Sequence, residues 1–178
     1  MKDRTAAKNR APAHECAFLK RQAAARLRHV EAQLKALDGE IDALIAADQN
    51  LSSRRDILVS IPGISNVTAA ALLAEAPELG TLTGKAVASL AGLAPITRQY
   101  GKWTGRAIIR GGRAHLRRAL YMTALVAARF SPDLKAVYDR LISAGKPPKV
   151  ALTALMRKLL VLANALLRHG RTWAEKLA

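Results

Sequence analysis

The sequence predicts an all-α protein, with a long N-terminal coiled-coil helix followed by a compact helical domain that contains a helix-hairpin-helix motif. Three observations carry that expectation. Apolar residues recur at helical spacing along most of the chain, glycine and proline mark a few corners between those stretches, and no alternating stretch is long enough to build a sheet. A chain of 178 residues, 51% of them hydrophobic and with a mean hydropathy of +0.05, can bury one core and still carry an extension.

From about residue 16 to 48 there is no proline, and Gly39 is the only glycine. Leu27, Val30, Leu34, Leu37, Ile41 and Leu44 follow at alternating spacings of three and four, the seam of a heptad repeat. So narrow an apolar stripe calls for a partner, either a second protomer or a returning helix; a long helix lying on its own domain is the alternative. Helical patterning resumes at Arg54 to Ser60 and breaks at Ile61-Pro62-Gly63-Ile64-Ser65. It restarts at Asn66 to Glu75, with Ser65 as N-cap and Pro77 beyond the end. Thr83 to Leu90 predicts a short helix, and Gly92 to Gly112 a loop with a short hairpin. Leu116, Leu120, Ala124 and Ala127 predict a helix over 113–130. Ser131-Pro132-Asp133 offers a cap, an N1 proline and a first-turn acid for the next. After Gly145-Lys146-Pro147-Pro148 a last helix runs from Lys149 to His169. The domains expected are 1–52, the basic N-terminus and coiled-coil helix, and 53–178, the helical domain with its helix-hairpin-helix near 57–75.

Charge narrows the class of partner. The 29 Lys and Arg residues outnumber 13 Asp and Glu, for a formal net charge of +16 and a pI near 10.9. Such an excess suits a polyanion, because neutralised phosphates release counterions. A single cysteine, Cys16, excludes an internal disulfide and a Cys-rich zinc site, and the four histidines lack metal spacing. No metal site is expected. The first ten residues have no apolar core of a secretory signal, and the apolar runs 69–74 and 159–167 are too short to span a bilayer. The expectation is a cytoplasmic, nucleoid-associated bacterial-type protein with no membrane partner.

Two segments are candidates for holding nucleic acid. At Ile61-Pro62-Gly63-Ile64-Ser65, Gly63 would let the turn approach a phosphate and Ser65 would add a hydroxyl beside the free amides of the following helix. An ordinary helix-turn-helix corner in a core is the alternative. The second segment runs from Arg98 to Arg118. No acidic residue stands between Glu78 and Asp133, while Arg98, Lys102, Arg106, Arg110, Arg113 and Arg117 accumulate. Arg110, Arg113 and Arg117 share one helical face if the helix begins near Arg110, and Tyr100 and Trp103 would stack on unpaired bases.

Leu58 to Ala74, Ser89 to Pro95, Gly101-Lys102-Trp103-Thr104-Gly105, Gly111-Gly112-Arg113 through Met122, and Pro148-Lys149-Val150-Ala151 through Leu159 resemble the C-terminal domain of insertion sequence 110 family transposases (IS116/IS110/IS902 type). The resemblance implies DNA transposition guided by a structured bridge RNA. It also implies an N-terminal RuvC-like domain with four metal-binding acids, a coiled coil, and a C-terminal domain that supplies a serine nucleophile to a composite site across protomers. This sequence departs from that pattern twice. No RuvC-like domain precedes Met1, so Mg is expected only in that missing domain and no cofactor in this chain. The position of the nucleophilic serine is held by Tyr100, whose reach differs from that of serine, so a stacking, packing or degenerate role is expected and a reactive tyrosine is the alternative. The function expected is the DNA-binding part of a transposase, inactive in strand cleavage alone. It would assemble through its coiled coil as a homo-oligomer or with a full-length transposase. A non-catalytic helix-hairpin-helix architectural module is the alternative.

Overall fold

The structure, a computed structural model, describes residues 2–10, 16–97, 99–101, 103–105 and 107–174; of Lys2, Arg10, Trp103 and Thr104 it describes the backbone alone. The elements in chain order are α1 (Lys2–Arg10), α2 (Ala17–Ala47), α3 (Gln49–Val59), α4 (Asn66–Glu75), α5 (Gly84–Leu90), β1 (Pro95–Ile96), β2 (Gln99–Tyr100), β3 (Trp103–Thr104), β4 (Ile108–Ile109), α6 (Ala114–Phe130), α7 (Pro132–Ser143) and α8 (Pro148–His169). They form two compact units, 1–47 and 48–178. The predominance of helix agrees with the fold class that the sequence predicts.

The first unit is α2 with α1 laid on it. α2 is a continuous helix of 31 residues, as the seam demands. α1 was not foreseen in the sequence, because its nine residues carry only Ala6 and Ala7 as apolar side chains and so short a helix is marginal by itself. It exists on α2: Arg4 Nε stands 3.4 Å from Glu31, and Ala6 and Ala7 line a hollow with Leu19, Gln22, Ala23 and Arg26. The seam is consequently divided. Leu27, Val30 and Leu34 are half-buried, whereas Leu37, Ile41 and Leu44 are 60%, 43% and 68% exposed.

Asp48 separates the units because its extended backbone ends α2 and its carboxylate starts α3. Its Oδ1 accepts from the amides of Asn50 at 2.8 Å and Leu51 at 3.0 Å, satisfying two orphan donors of the new helix. The helical domain therefore takes in residues 48–52 as well as 53–178.

In the second unit α8 is the axis. It packs against α3, α5, α6 and α7, while α4 lies on α3 and α6. Leu152, Leu155, Met156, Leu159, Leu160 and Ala163 bury one broad face against Leu58, Leu72, Leu116, Leu120 and Leu134. Truncating any of these leucines to alanine costs about 2–5 kcal/mol through lost transfer energy and the cavity left. By length and composition α8, at 22 residues, is apolar enough to cross a membrane, beyond the 159–167 run noted in the sequence. Half of its most apolar window is buried inside the protein, and its buried Asn164 accepts from Gly80 N at 2.9 Å and donates to Leu82 O at 2.8 Å. Both features are those of a core helix.

Local chemistry sets the helix ends. Ser65 Oγ accepts from Thr68 N at 3.3 Å and Thr83 Oγ1 from Ala86 N at 3.2 Å, and Gly170 closes α8 in the left-handed region at φ 58°. Ser131 stands at the N-cap of α7 ahead of Pro132, but its side chain makes no capping bond. The stretch from 93 to 112 folds as a β-hairpin with two short antiparallel ladders, β1 with β4 and β2 with β3, so the hairpin expected within the loop is present.

Candidate nucleic-acid interface

Two glycines make the foot of the hairpin. Gly92 and Gly112 lie where the entering and leaving strands cross, at φ 65° and 64°. A Cβ on Gly92 would run into Gly111 O, and one on Gly112 into Gly92 N and Ala91 C. The crossing is therefore closed to any residue with a side chain. Arg117 fastens it, donating from Nη1 to Ala91 O at 3.0 Å and Gly111 O at 2.7 Å, and Arg113 N donates to Leu90 O at 2.8 Å.

Arg113 is fixed from the other side. Its guanidinium makes a two-pronged pair with Glu78, Nη1 to Oε2 at 2.8 Å and Nη2 to Oε1 at 2.6 Å, and Nη1 also donates to Glu75 O at 2.6 Å. That hydrogen-bonded guanidinium holds the Glu78 carboxyl well below the usual carboxylate range, at about 2, and Glu78 raises Arg113 in turn. The guanidiniums of Arg113 and Arg117 are thus engaged by the protein itself and position the hairpin over the first turn of α6. The face expected from Arg110, Arg113 and Arg117 does not form. α6 begins at Ala114, because Gly111 and Gly112 both take positive φ and break the helix before it can reach Arg110. Arg110 is exposed beside β4.

At the far end of the hairpin Tyr100 pairs with Trp103 across Gly101, whose φ of 55° suits the tight turn. Tyr100 is 88% exposed, so its phenol is offered to solvent rather than packed. The Trp103 side chain and residues Arg98, Lys102 and Arg106 lie outside the described residues.

The turn at Pro62-Gly63 faces inward. Gly63 has φ 91°, and a Cβ there would stand 2.9 Å from Thr123 O and 3.2 Å from Ala127 Cβ, so glycine is needed for the close approach to α6. Ile61 and Ile64 are buried on either side. The outward part of the corner is Ser65, Asn66 and Val67 at the start of α4, with the Ser65 hydroxyl already committed to Thr68. Two helices joined by this turn are present; a phosphate-binding role for Gly63 is not favoured by its surroundings.

Sequence reading overlooked a groove of about 810 Å³ at the root of the hairpin. Leu93, Pro95, Ile109 and Tyr121 form one side, and Lys149, Val150, Thr153, Ala154 and Arg157 of α8 the other. The signal was available: α8 contains no acidic residue, and Lys149 and Arg157 recur about two turns apart on one side of the helix. Among the described residues no three of His, Cys, Asp and Glu gather as metal ligands.

Fold and site together describe a helical domain that presents a clamped hairpin in an acid-free stretch of sequence. Its kinship follows from comparison with known proteins. Residues 55–139 match the profile of the transposase IS116/IS110/IS902 family. The chain is 35% identical over 157 residues to the insertion element IS110 uncharacterized 43.6 kDa protein of Streptomyces coelicolor, covering 86% of this chain and 38% of that protein. It is 32% identical over 156 residues to the pilin gene-inverting protein of Moraxella bovis, covering 85% and 48%. It is also 33% identical over 144 residues to the insertion element IS900 uncharacterized 42 kDa protein of Mycobacterium paratuberculosis, covering 76% and 36%. The chain thus spans less than half the length of these relatives.

Proposed function

We propose that this chain is a DNA-binding part of a transposase that acts in moving an insertion sequence, and that it does not cut DNA alone. The observation that carries the reading is the hairpin, held rigidly at its foot in a segment where cations run from Lys85 to Arg129 without an acid. Fixed donors on a preorganised arm meet phosphates at low entropic cost. Arg110, Lys149 and Arg157, with Arg98, Lys102 and Arg106 by their place in the sequence, make the backbone contacts. Tyr100 stacks on an unpaired base. Arg113 and Arg117 hold the arm in place, and the first amides of α4, next to Ser65, supply a further phosphate contact.

A structured guide RNA is a second polyanion suited to the same surface. Strand cleavage requires Mg and a nucleophile, and in this reading a metal-binding domain elsewhere supplies the acids. Tyr100, fully offered to solvent, serves as a platform and not as the nucleophile. Assembly through the α2 seam, with a second copy or with a full-length transposase, brings such a domain to the complex, in the cytoplasm at the nucleoid.

Fluorescence anisotropy with duplex DNA across a salt series tests this. Replacing Arg98, Arg106 and Arg110 together with alanine should weaken binding to every sequence and reduce the slope of log K against log salt by about 1 per lost contact. An unchanged slope would remove these residues from the interface, and no binding to DNA or RNA at low salt would end the proposal. Preference for insertion-sequence ends separates this reading from a general architectural module.

A further inference from the structure

The open half of the α2 seam identifies its own occupant. We infer that a second copy of α2 docks in parallel along Leu27–Leu44 and displaces α1, with Glu31 exchanging Arg4 of its own chain for Arg26 of the other copy. This rests on the assembly reading above and adds its geometry and its gate.

α1 is a poor occupant. It offers Ala6 and Ala7, and it leaves Leu37, Ile41 and Leu44 exposed. A second α2 offers six large apolar residues at the same heptad positions and covers all six layers. Charge then selects the direction. With Leu27, Leu34 and Ile41 at a and Val30, Leu37 and Leu44 at d, Arg26 falls at g and Glu31 at e. Parallel strands bring g beside the e position five residues on, so Arg26 meets Glu31 of the second copy twice over in a dimer. Asp38 then meets Gln33, and Glu40 meets Ile45, so no like charges face each other across the seam. Antiparallel strands with the same six layers would put Glu31 beside Asp38 at both ends, two acidic contacts that oppose that arrangement. Among the described residues, the ion pair that ties α1 down is Arg4 with Glu31 at 3.4 Å, and both side chains are nearly half exposed, so solvent screens it and it yields readily.

Sedimentation velocity on the full-length chain, with helicity followed by circular dichroism, tests the exchange. The wild type is expected to show a monomer–dimer equilibrium, and Leu37→Asp to abolish it. Arg4→Glu, which frees Glu31 and unseats α1, should tighten the dimer several-fold. Arg26→Glu should weaken it about tenfold or more, and adding Glu31→Arg to that variant should restore it. In an Arg4→Ala background, where α1 is already untied, Glu31→Arg decides direction, since there it weakens a parallel dimer and tightens an antiparallel one. If Leu37→Asp dissociates the dimer but the Arg26 and Glu31 variants leave it unchanged, seam assembly stands and this inference falls. If the protein stays monomeric with Arg4→Glu, both fall.

Discussion

Arg113 shows how the same residue type takes different work from its surroundings. In the sequence it is one cation in an acid-free run, yet 35 residues earlier stands Glu78, which claims its guanidinium. Because the folded pKa of Glu78, about 2, lies below that of an unfolded carboxylate near ~4.3, the pair stabilises the fold above the unfolded value. That contribution disappears as pH falls from there toward 2. Thermal melts from neutral pH downward should therefore show a wild-type decline through this window that Glu78→Gln lacks, the variant starting from a lower melting temperature. Equal pH profiles would show that the pair adds nothing. The glycines divide in the same way. Gly112→Ala, at the strand crossing, should cost about 3 kcal/mol from overlap and positive φ together. Gly101→Ala, with open space around it, should cost only about 1 kcal/mol for the left-handed backbone. Urea unfolding of the two variants measures the difference. Local signals such as the Ser65 cap were legible because donor and acceptor lie three residues apart. The roles of Gly92, Gly112 and Arg113 were not, since each depends on a neighbour that folding brings from elsewhere.

At the scale of elements, periodicity located α2, α4, α5, α6 and α8 to within a residue or two, because each buries a face whose spacing is written in leucine and alanine. It said nothing of α1, which has no such face, and it left open a start of α6 near Arg110, which two left-handed glycines rule out by holding the start at Ala114. The hairpin was visible as a Gly-rich basic stretch, but its direction was hidden, and so was the groove with Lys149 and Arg157 that only α8 and β4 together define. Its tip permits a test free of folding effects. Tyr100 touches little of the protein, so Tyr100→Ala should leave the melting temperature unchanged while lowering affinity for single-stranded DNA by roughly 5- to 100-fold, the range for one stacked base. Tyr100→Phe keeps the ring and should bind as the wild type does. A covalent DNA adduct that requires the phenol would instead make Tyr100 a nucleophile.

At the scale of the whole molecule, the charge of +16 acts on stability and on binding with opposite signs. In free protein the cations repel one another, so salt that screens them relieves a cost of folding. The melting temperature should rise between about 50 and 500 mM sodium chloride. Bound DNA reverses the trend. At low salt a tight complex stabilises the folded state by about 2.7 kcal/mol when DNA exceeds its dissociation constant a hundredfold, and that gain shrinks as salt weakens the phosphate contacts. Melts with and without a short duplex should therefore converge as salt rises, the DNA-bound curve falling while the free curve climbs. Parallel curves, or a duplex that adds nothing at low salt, would mean that the cations answer to one another and not to a phosphate backbone.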